Sequence, residues 1–203
     1  MNRDIIVIGA SAGGLEALKA LVGHLPEDLK AAVFVVLHLP PWHDSKLPSV
    51  LEDNGPLPAS HAVDRESIEA GHIYVAPPDR HLMLDDHHMQ LWRGPKENGH
   101  RPSVNPLFRS AAVRFGPRVA GVILSGALDD GVAGLWMVKR EGGIAIVQDP
   151  EEASVPAMPL HAMEYVRVDY MSEAAQIGDL LQKLAGNSQM RSGTDRKDPI
   201  GRN

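Results

Sequence analysis

The chain has 203 residues, no cysteine and a formal net charge of −6. This length fits one domain with a single substantial core rather than two domains joined by a linker. The absence of cysteine removes disulfide scaffolds, thiolate nucleophiles and cysteine-based zinc sites. The negative charge and the 4% content of aromatic residues give no support for a nucleic-acid partner.

The composition also bears on location. Hydrophobic residues make up 43% of the chain and charged residues 23%, which is typical of a globular protein. No segment approaches the roughly 20 apolar residues that cross a bilayer, and the first residues lack the pattern of a signal peptide. We therefore expect a cytoplasmic protein without direct membrane insertion.

Short apolar runs alternate with amphipathic stretches in the first half of the chain. Residues 4–8 predict a buried strand, and leucines at helical spacing follow it. Residues 31–37 predict a second buried strand, which is followed by the breakers Pro40 and Pro41 and a weak helix near residues 46–52. Residues 71–93 predict a β-meander or hairpin at the edge of a sheet.

The second half continues the alternation. It predicts helices at 103–115, 132–141 and 173–184 and buried strands at 119–124 and 144–147. Strands joined by helices need long crossovers, so the pattern predicts an α/β three-layer sandwich with a doubly wound, mainly parallel sheet and an antiparallel hairpin at one edge. This domain spans residues 1–185, and the polar, aperiodic residues 186–203 predict a disordered C-terminal tail.

A glycine-rich turn follows the first predicted strand, in the segment IGASAGG from Ile8 to Gly14. Residues 9–13 have the GxSxG spacing of a nucleophile elbow, in which small neighbours leave the Ser11 hydroxyl exposed. Two other interpretations stay open at this point: Ser11 caps the following helix, or the turn binds an anion. The segment lacks GxGxxG and a Walker lysine, so nucleotide binding is the weakest hypothesis.

A serine nucleophile needs a base and a carboxylate that holds the base. Functional groups of an open α/β sheet gather beyond the carboxyl ends of its strands. His38 directly follows the second predicted strand, and Asp129 and Asp130 lie just after the strand at 119–124. These positions favour one site, although His38 also fits a structural histidine and either aspartate also fits a helix cap.

Several further motifs occur in a fixed order, and with them the chain resembles the catalytic domain of the chemotaxis protein-glutamate methylesterases, the CheB family. The resemblance covers nearly all of the chain before the polar tail. The motifs are IGASAGG around Ser11, HLPP from His38, GHIYVAPPD from Gly71, HRPSV from His100, VILSGALDDGVAG from Val122, QDP from Gln148 and AMP from Ala157.

The resemblance implies a nucleophile at Ser11, a base at His38 and the third triad member at Asp130. It implies hydrolysis of glutamate γ-methyl esters, with related glutamine deamidation, on the cytoplasmic helices of a chemoreceptor-like protein. Backbone amides near Ala12 and Ala127 are the expected oxyanion donors, since main-chain donors survive side-chain replacement. Arg101 and Ser103 are expected either to bind substrate or to brace the site.

Two departures from the family pattern concern the site. Ala12 replaces the usual threonine, and Leu128 stands where the family has the second glycine of GMGxDG; a positive φ there would strain the loop that carries Asp130. The chain also begins at the catalytic strand, so we expect a stand-alone domain controlled by a separate regulatory protein, by a partner surface or not at all. A non-catalytic docking module in a chemosensory-type system is the alternative function.

A cluster of histidines and aspartates in the predicted hairpin raises the question of metal binding. His81, His87 and His88 accompany Asp85 and Asp86. Adjacent residues of a strand point to opposite faces, so solvated turn residues are the preferred interpretation. We expect no metal and no cofactor.

Overall fold

A computed structural model describes residues 2–38 and 45–186 of the chain. The strands are β1 Ile5–Ala10, β2 Ala32–Leu37, β3 Ala59–His61, β4 Ile73–Val75, β5 His81–Leu84, β6 Met89–Trp92, β7 Val119–Ile123, β8 Ile144–Gln148 and β9 Tyr170–Ser172. The α-helices are α1 Gly14–Val22, α2 Leu47–Asn54, α3 Val104–Phe115, α4 Val132–Arg140, α5 Ala157–Tyr165 and α6 Ala174–Leu184.

Seven strands form one parallel sheet in the order β3-β4-β2-β1-β7-β8-β9. The chain proceeds outward from β1 in one direction through β2 and in the other through β7, so the order reverses between β1 and β7. Such a reversal opens a crevice at the carboxyl ends of the two strands, where ligands of open α/β sheets bind. The fold therefore presents the ends of β1 and β7 as the place for a site.

The core lies on both faces of the sheet. Strands β1, β2 and β7 are buried along their whole length, as expected for parallel strands covered by helices on each side. One face packs against α3, α4 and α5, and the other packs against α1, α2 and α6. Burying each large apolar side chain stabilises the fold by about 1.5–3 kcal/mol, so the sheet is a rigid base for the loops above it.

The three-layer α/β sandwich and the parallel sheet are confirmed. The region at residues 71–93 differs in detail from the meander expected there. Its first segment, β4, joins the parallel sheet, while β5 and β6 form a separate antiparallel pair that packs against α3. The hairpin leaves the sheet because Leu82, Leu84 and Met89 bury against the core on the α3 side.

Three elements had no counterpart in the sequence pattern: β3, α5 and β9. Both strands are edge strands of three residues, too short for an alternation to register. The breakers Pro40 and Pro41 and the expected tail after residue 186 lie outside the described residues. Within residues 2–38 and 45–186, no helix has the length and apolar character needed to span a membrane.

Candidate active site

Ser11 lies in the tight turn between β1 and α1. Its backbone N–H donates to Ser125 O at 2.9 Å, which ties the end of β1 to the loop after β7. Gly13 takes a φ of 73°, and a Cβ there would lie 2.7 Å from the Cβ of Ser154, so the turn requires glycine at this position. Helix α1 has no side-chain cap, so Ser11 is free of the capping role that was one of its open interpretations.

His38 lies at the carboxyl end of β2, beside this turn. Its backbone N–H donates to Ala10 O at 3.1 Å, which extends the β1–β2 pairing to the last residue before the loop. The side chain is 5% exposed. Its Nδ1 is 3.2 Å from Ser11 Oγ and its Nε2 is 2.7 Å from Asp130 Oδ2, so the imidazole links the hydroxyl to the carboxylate.

Asp130 lies in the loop before α4, and its carboxylate is held at the amino end of α3. It is 1% exposed and accepts four hydrogen bonds. The donors are His38 Nε2 and Val104 N at 2.7 Å each, Ser103 Oγ at 2.8 Å and Asn105 N at 3.3 Å. Backbone N–H groups at a helix start favour negative charge, so the α3 terminus holds an ionised carboxylate. Helix α4 has no side-chain cap, so neither Asp129 nor Asp130 has the capping role that was the other interpretation of these residues.

The hydrogen-bond geometry fixes the tautomer of a neutral His38. An ionised carboxylate only accepts, so Nε2 carries the proton and donates to Asp130. Nδ1 is then the unprotonated nitrogen, and the Ser11 hydroxyl donates to it. The ring nitrogen that faces the serine is therefore a free base.

The pKa of Asp130 lies below its ordinary value. Burial acts first and would raise the pKa, but the hydrogen bond from His38, the Val104 N–H, the charge of His38 and the Ser103 hydroxyl together outweigh it. Asp130 is thus an anion at neutral pH despite its burial. A buried anion beside Nε2 stabilises the imidazolium that forms when Nδ1 accepts a proton.

His100 covers the outer face of the His38 ring. The two imidazoles stack with centroids 3.7 Å apart and an interplanar angle of 10°. Burial lowers the pKa of His100, and the neighbouring His38 and Lys96 lower it further against the opposing effect of Asp130. A neutral His100 therefore shields His38 from water. In the sequence, His100 was noted only as the first residue of the HRPSV motif. Its stack on His38 was not predicted, because the stack depends on the distant strand β2.

Two backbone amides lie near Ser11, those of Ala12 and Ala127. Among the described residues, neither the Ala12 N–H nor the Ala127 N–H donates a hydrogen bond within the chain. Gly126 brings the second amide close, since a Cβ on Gly126 would lie 2.8 Å from Ser11 Cβ and 2.0 Å from Met158 Sδ. The Ser125 hydroxyl donates to Ala12 O at 2.8 Å and accepts from the Val155 N–H at 2.9 Å, which fixes the turn around these amides.

Arg101 and Ser103 are occupied by contacts within the protein. Arg101 Nη1 donates to Gly94 O, and the rest of its guanidinium bonds to Asp79, which Arg93 also contacts at 2.8 Å. Ser103 is buried with its hydroxyl on Asp130. Both positions favour the bracing role over substrate contact, since Arg101 bonds to Asp79 and Gly94 and the Ser103 hydroxyl bonds to Asp130.

Leu128 has a left-handed backbone conformation, as expected if it replaces a glycine of positive φ. Its φ is 66°, and its side chain is 60% exposed. The Leu128 carbonyl accepts a hydrogen bond from His161 Nδ1 of α5 at 2.7 Å. Helix α5 thus stabilises the strained segment, and the loop still delivers Asp130 to His38.

The hairpin histidines form no cluster with other ligands. Within the described ranges, no group of three or more histidine and acidic side chains could hold a metal ion. His81 is buried rather than solvated: Nε2 donates to Pro95 O at 2.8 Å, and Nδ1 accepts from the Ser103 N–H at 3.3 Å. Interpreting His81 as a solvated turn residue was wrong, because the strand that carries it packs on α3.

A serine, a histidine and a buried carboxylate in hydrogen-bonded series at the switch point of a doubly wound sheet have the architecture of a serine hydrolase. The comparison with protein families agrees with this class. The family model described as CheB methylesterase matches residues 6–181. The chain belongs to the CheB methylesterase family, whose members are carboxylic ester hydrolases.

Individual relatives give the same result. A Leptospira interrogans protein, provisionally named protein-glutamate methylesterase/protein-glutamine glutaminase, is 36% identical over 93% of this chain and 98% of its own length. Protein-glutamate methylesterase/protein-glutamine glutaminase 2 of Methanosarcina mazei is 34% identical over 90% of this chain, which spans 52% of that longer protein. The crystal structure of the Thermotoga maritima CheB methylesterase catalytic domain matches with a TM-score of 0.87 and 33% identity, covering 91% of this chain and 100% of that one.

Proposed function

We propose that the protein hydrolyses γ-methyl esters of glutamate side chains in a protein substrate. Ser11 is the nucleophile and His38 is the base. Asp130 orients His38 and stabilises the positive charge that His38 acquires. The observation that carries the proposal is the unbroken series from Ser11 Oγ through both nitrogens of His38 to Asp130. The names of the relatives support the choice of substrate.

The first half of the reaction forms an acyl-enzyme. Ser11 Oγ attacks the ester carbonyl carbon while its proton passes to His38 Nδ1, and Asp130 stabilises the resulting imidazolium. The negative charge on the carbonyl oxygen is received by the N–H groups of Ala12 and Ala127; one such donor is worth about 2.7–4 kcal/mol in comparable sites. Nδ1–H then protonates the departing methoxide, and methanol leaves.

The second half releases the product. Water attacks the acyl-enzyme as Nδ1 removes its proton, and the same nitrogen returns that proton to Ser11 Oγ as the glutamate leaves. A glutamine side chain follows the same course with ammonia as leaving group. Protonation by His38 is more important there, because an amide anion is a poorer leaving group than methoxide.

The proposed substrate is the methylated cytoplasmic helical part of a chemoreceptor-like protein, and this places the reaction in the cytoplasm. A separate regulatory protein, a partner surface and no control at all are the alternatives for regulation of the activity. Helical segments suit the site, because Ser11 is part-exposed and the next two residues of its turn, Ala12 and Gly13, are exposed.

The test is methanol release from a receptor fragment that carries glutamate γ-methyl esters. Ser11→Ala is expected to lower turnover by roughly 10⁵-fold or more, to background. Ser154→Ala is the matched control, since it removes an exposed hydroxyl beside Gly13 that makes no contact with His38; it should retain turnover within about threefold. Wild-type protein that releases no methanol would favour the docking alternative.

A further inference from the structure

An exposed apolar surface continues from the mouth of the site over helices α4 and α5. It consists of Leu128, Trp136 and Tyr165, whose side chains are 60%, 47% and 64% exposed. Large apolar side chains in a contiguous patch beside a site mark a place where another molecule binds. We call these three residues the α4–α5 surface.

The backbone conformation of Leu128 is energetically unfavourable. A left-handed conformation is unfavourable for an L-residue with a bulky side chain, and the exposed Leu128 side chain gains little burial in return. The surrounding structure nevertheless enforces it through the His161 contact to the Leu128 carbonyl. Backbone strain that persists beside a reactive group is a pointer to function.

Trp136 and Tyr165 line a depression beside the loop that carries Asp130. Its volume is about 570 Å³, and Asp129 and Asn105 are among its other lining residues. His161 bonds to the Leu128 carbonyl and is one helical turn from Tyr165, so α5 links Leu128 to this depression. The surface thus adjoins the loop between Leu128 and Asp130.

The far side of the two aromatic residues has a net positive charge. They border a second depression whose charged side chains are Lys139, Arg140, Arg167 and Asp169. Lys139 is paired with Asp169 at 2.7 Å, which leaves Arg140 and Arg167 as the two excess cations of this lining. The guanidinium of Arg140 lies over the Trp136 ring at 5.5 Å from its centroid, which holds the indole in place. This end of the surface is therefore complementary to acidic side chains.

The surface lies on helices, and this determines whether an extended peptide or a helix can bind to it. An extended peptide binds by adding to a sheet edge. The edge strands are β3 and β9 of the large sheet and the β5–β6 pair, whereas the surface lies on helices and their adjoining loop. A helix can instead lay an apolar stripe against α4 and α5 through side chains spaced three or four residues apart.

Resting on the proposed function, we infer that the α4–α5 surface binds the helical segment of the protein substrate that carries the ester, and that it contacts apolar residues one and two helical turns from the modified glutamate. The basic end then faces further glutamates on the same helix. The surface would thereby select helical protein substrates over small esters.

The probe is a synthetic helical peptide with one glutamate γ-methyl ester and leucines four and seven residues away, compared with the same peptide carrying serines there. For wild type, methanol release is expected to show a kcat/KM roughly tenfold higher for the leucine peptide. In a Trp136→Ser/Tyr165→Ser double variant, this ratio should fall to about one. Val113→Ser, which removes an exposed apolar side chain of α3 away from the surface, is the matched control and should keep the wild-type ratio.

Three results overturn the inference. A wild-type ratio near one means that the leucines are not recognised, and an unchanged ratio in the double variant means that other residues recognise them. An equal fall for both peptides assigns Trp136 and Tyr165 to the integrity of the site instead. Failure of the proposed function itself is distinct, since wild type would then also release no methanol from N-acetyl-glutamate γ-methyl ester.

Discussion

Ser11, His38 and Asp130 form a hydrogen-bonded relay, and its two ends lie in opposite environments. At the inner end, Asp130 is buried and fully hydrogen-bonded by the start of α3 and by His38. At the outer end, Ser11 is part-exposed and its hydroxyl makes one contact, at 3.2 Å, to His38. The inner end is therefore fixed by four hydrogen bonds, whereas the outer end is held by one side-chain contact.

The loop before Asp130 repeats this contrast within three residues. Leu128 is exposed in a strained conformation, and Asp130 is buried in an unstrained network. Strain is tolerated at Leu128 because the four bonds on Asp130 and the His161 contact hold the loop at both ends. The same segment therefore combines a fixed, buried carboxylate at Asp130 with an exposed, strained residue at Leu128.

Asp130→Asn breaks the inner end, and its expected effect on turnover is second only to that of Ser11→Ala. An asparagine oxygen no longer requires a proton on Nε2, so the tautomer with a free Nδ1 is lost, and turnover should fall about 10⁴-fold. Methanol release measures the effect. Asp53→Asn, on the exposed surface of α2, is the control for the loss of one carboxylate. Turnover within tenfold of wild type in Asp130→Asn would show that Asp130 does not control His38.

His100→Phe tests the ring that stacks on His38. The folded-state pKa of His100 is lowered, so its unfolded form binds a proton more readily, and wild type should lose stability as the pH falls through about 6.5 toward the lower folded pKa. Phenylalanine preserves an aromatic stack without titrating. We expect the wild-type advantage in unfolding free energy over the variant to be larger at pH 7.5 than at pH 5.5, by urea unfolding at both values. The opposite trend would mean that folding raises the pKa of His100.

Leu128→Gly addresses the outer loop and has the smallest expected effect on stability. Relief of the left-handed leucine is worth about 1–2 kcal/mol, and the extra freedom of glycine in the unfolded chain costs about 0.5–1 kcal/mol. The net change in unfolding free energy should therefore lie within about 1 kcal/mol of wild type, measured by urea unfolding. Leu128→Ala keeps the strain and serves as the comparison. A loss of more than about 2 kcal/mol in Leu128→Gly would show that the side chain stabilises the fold.

The site could be predicted further from the sequence than its surroundings. Ser11, His38 and Asp130 each follow a strongly apolar strand, and in a parallel sheet the carboxyl ends of such strands lie at one edge. Position along the chain was therefore enough to bring Ser11 and His38 to the same edge as Asp129 and Asp130, and the family resemblance selected Asp130. The positive φ of Leu128 could also be predicted, because a glycine in the family motif reports a backbone requirement.

Other features depend on contacts between distant segments. Helix α5 contains Pro159 and exposes several apolar side chains, so its pattern lacks the separation of faces that marks a surface helix. The partners of Asp130 on α3 and the stack of His100 on His38 join residues far apart in the chain. The burial of His81 follows from packing on α3, which alternation within the hairpin does not encode.

The central claim is that the Ser11 hydroxyl is activated by a relay that ends in Asp130. Reaction with a fluorophosphonate, followed by peptide mapping in a mass spectrometer, tests it most directly, because the reagent marks an activated serine whatever the natural substrate. We predict one adduct, on Ser11, that His38→Ala removes. An adduct on another serine, or labelling of Ser11 that persists in His38→Ala, would contradict the account.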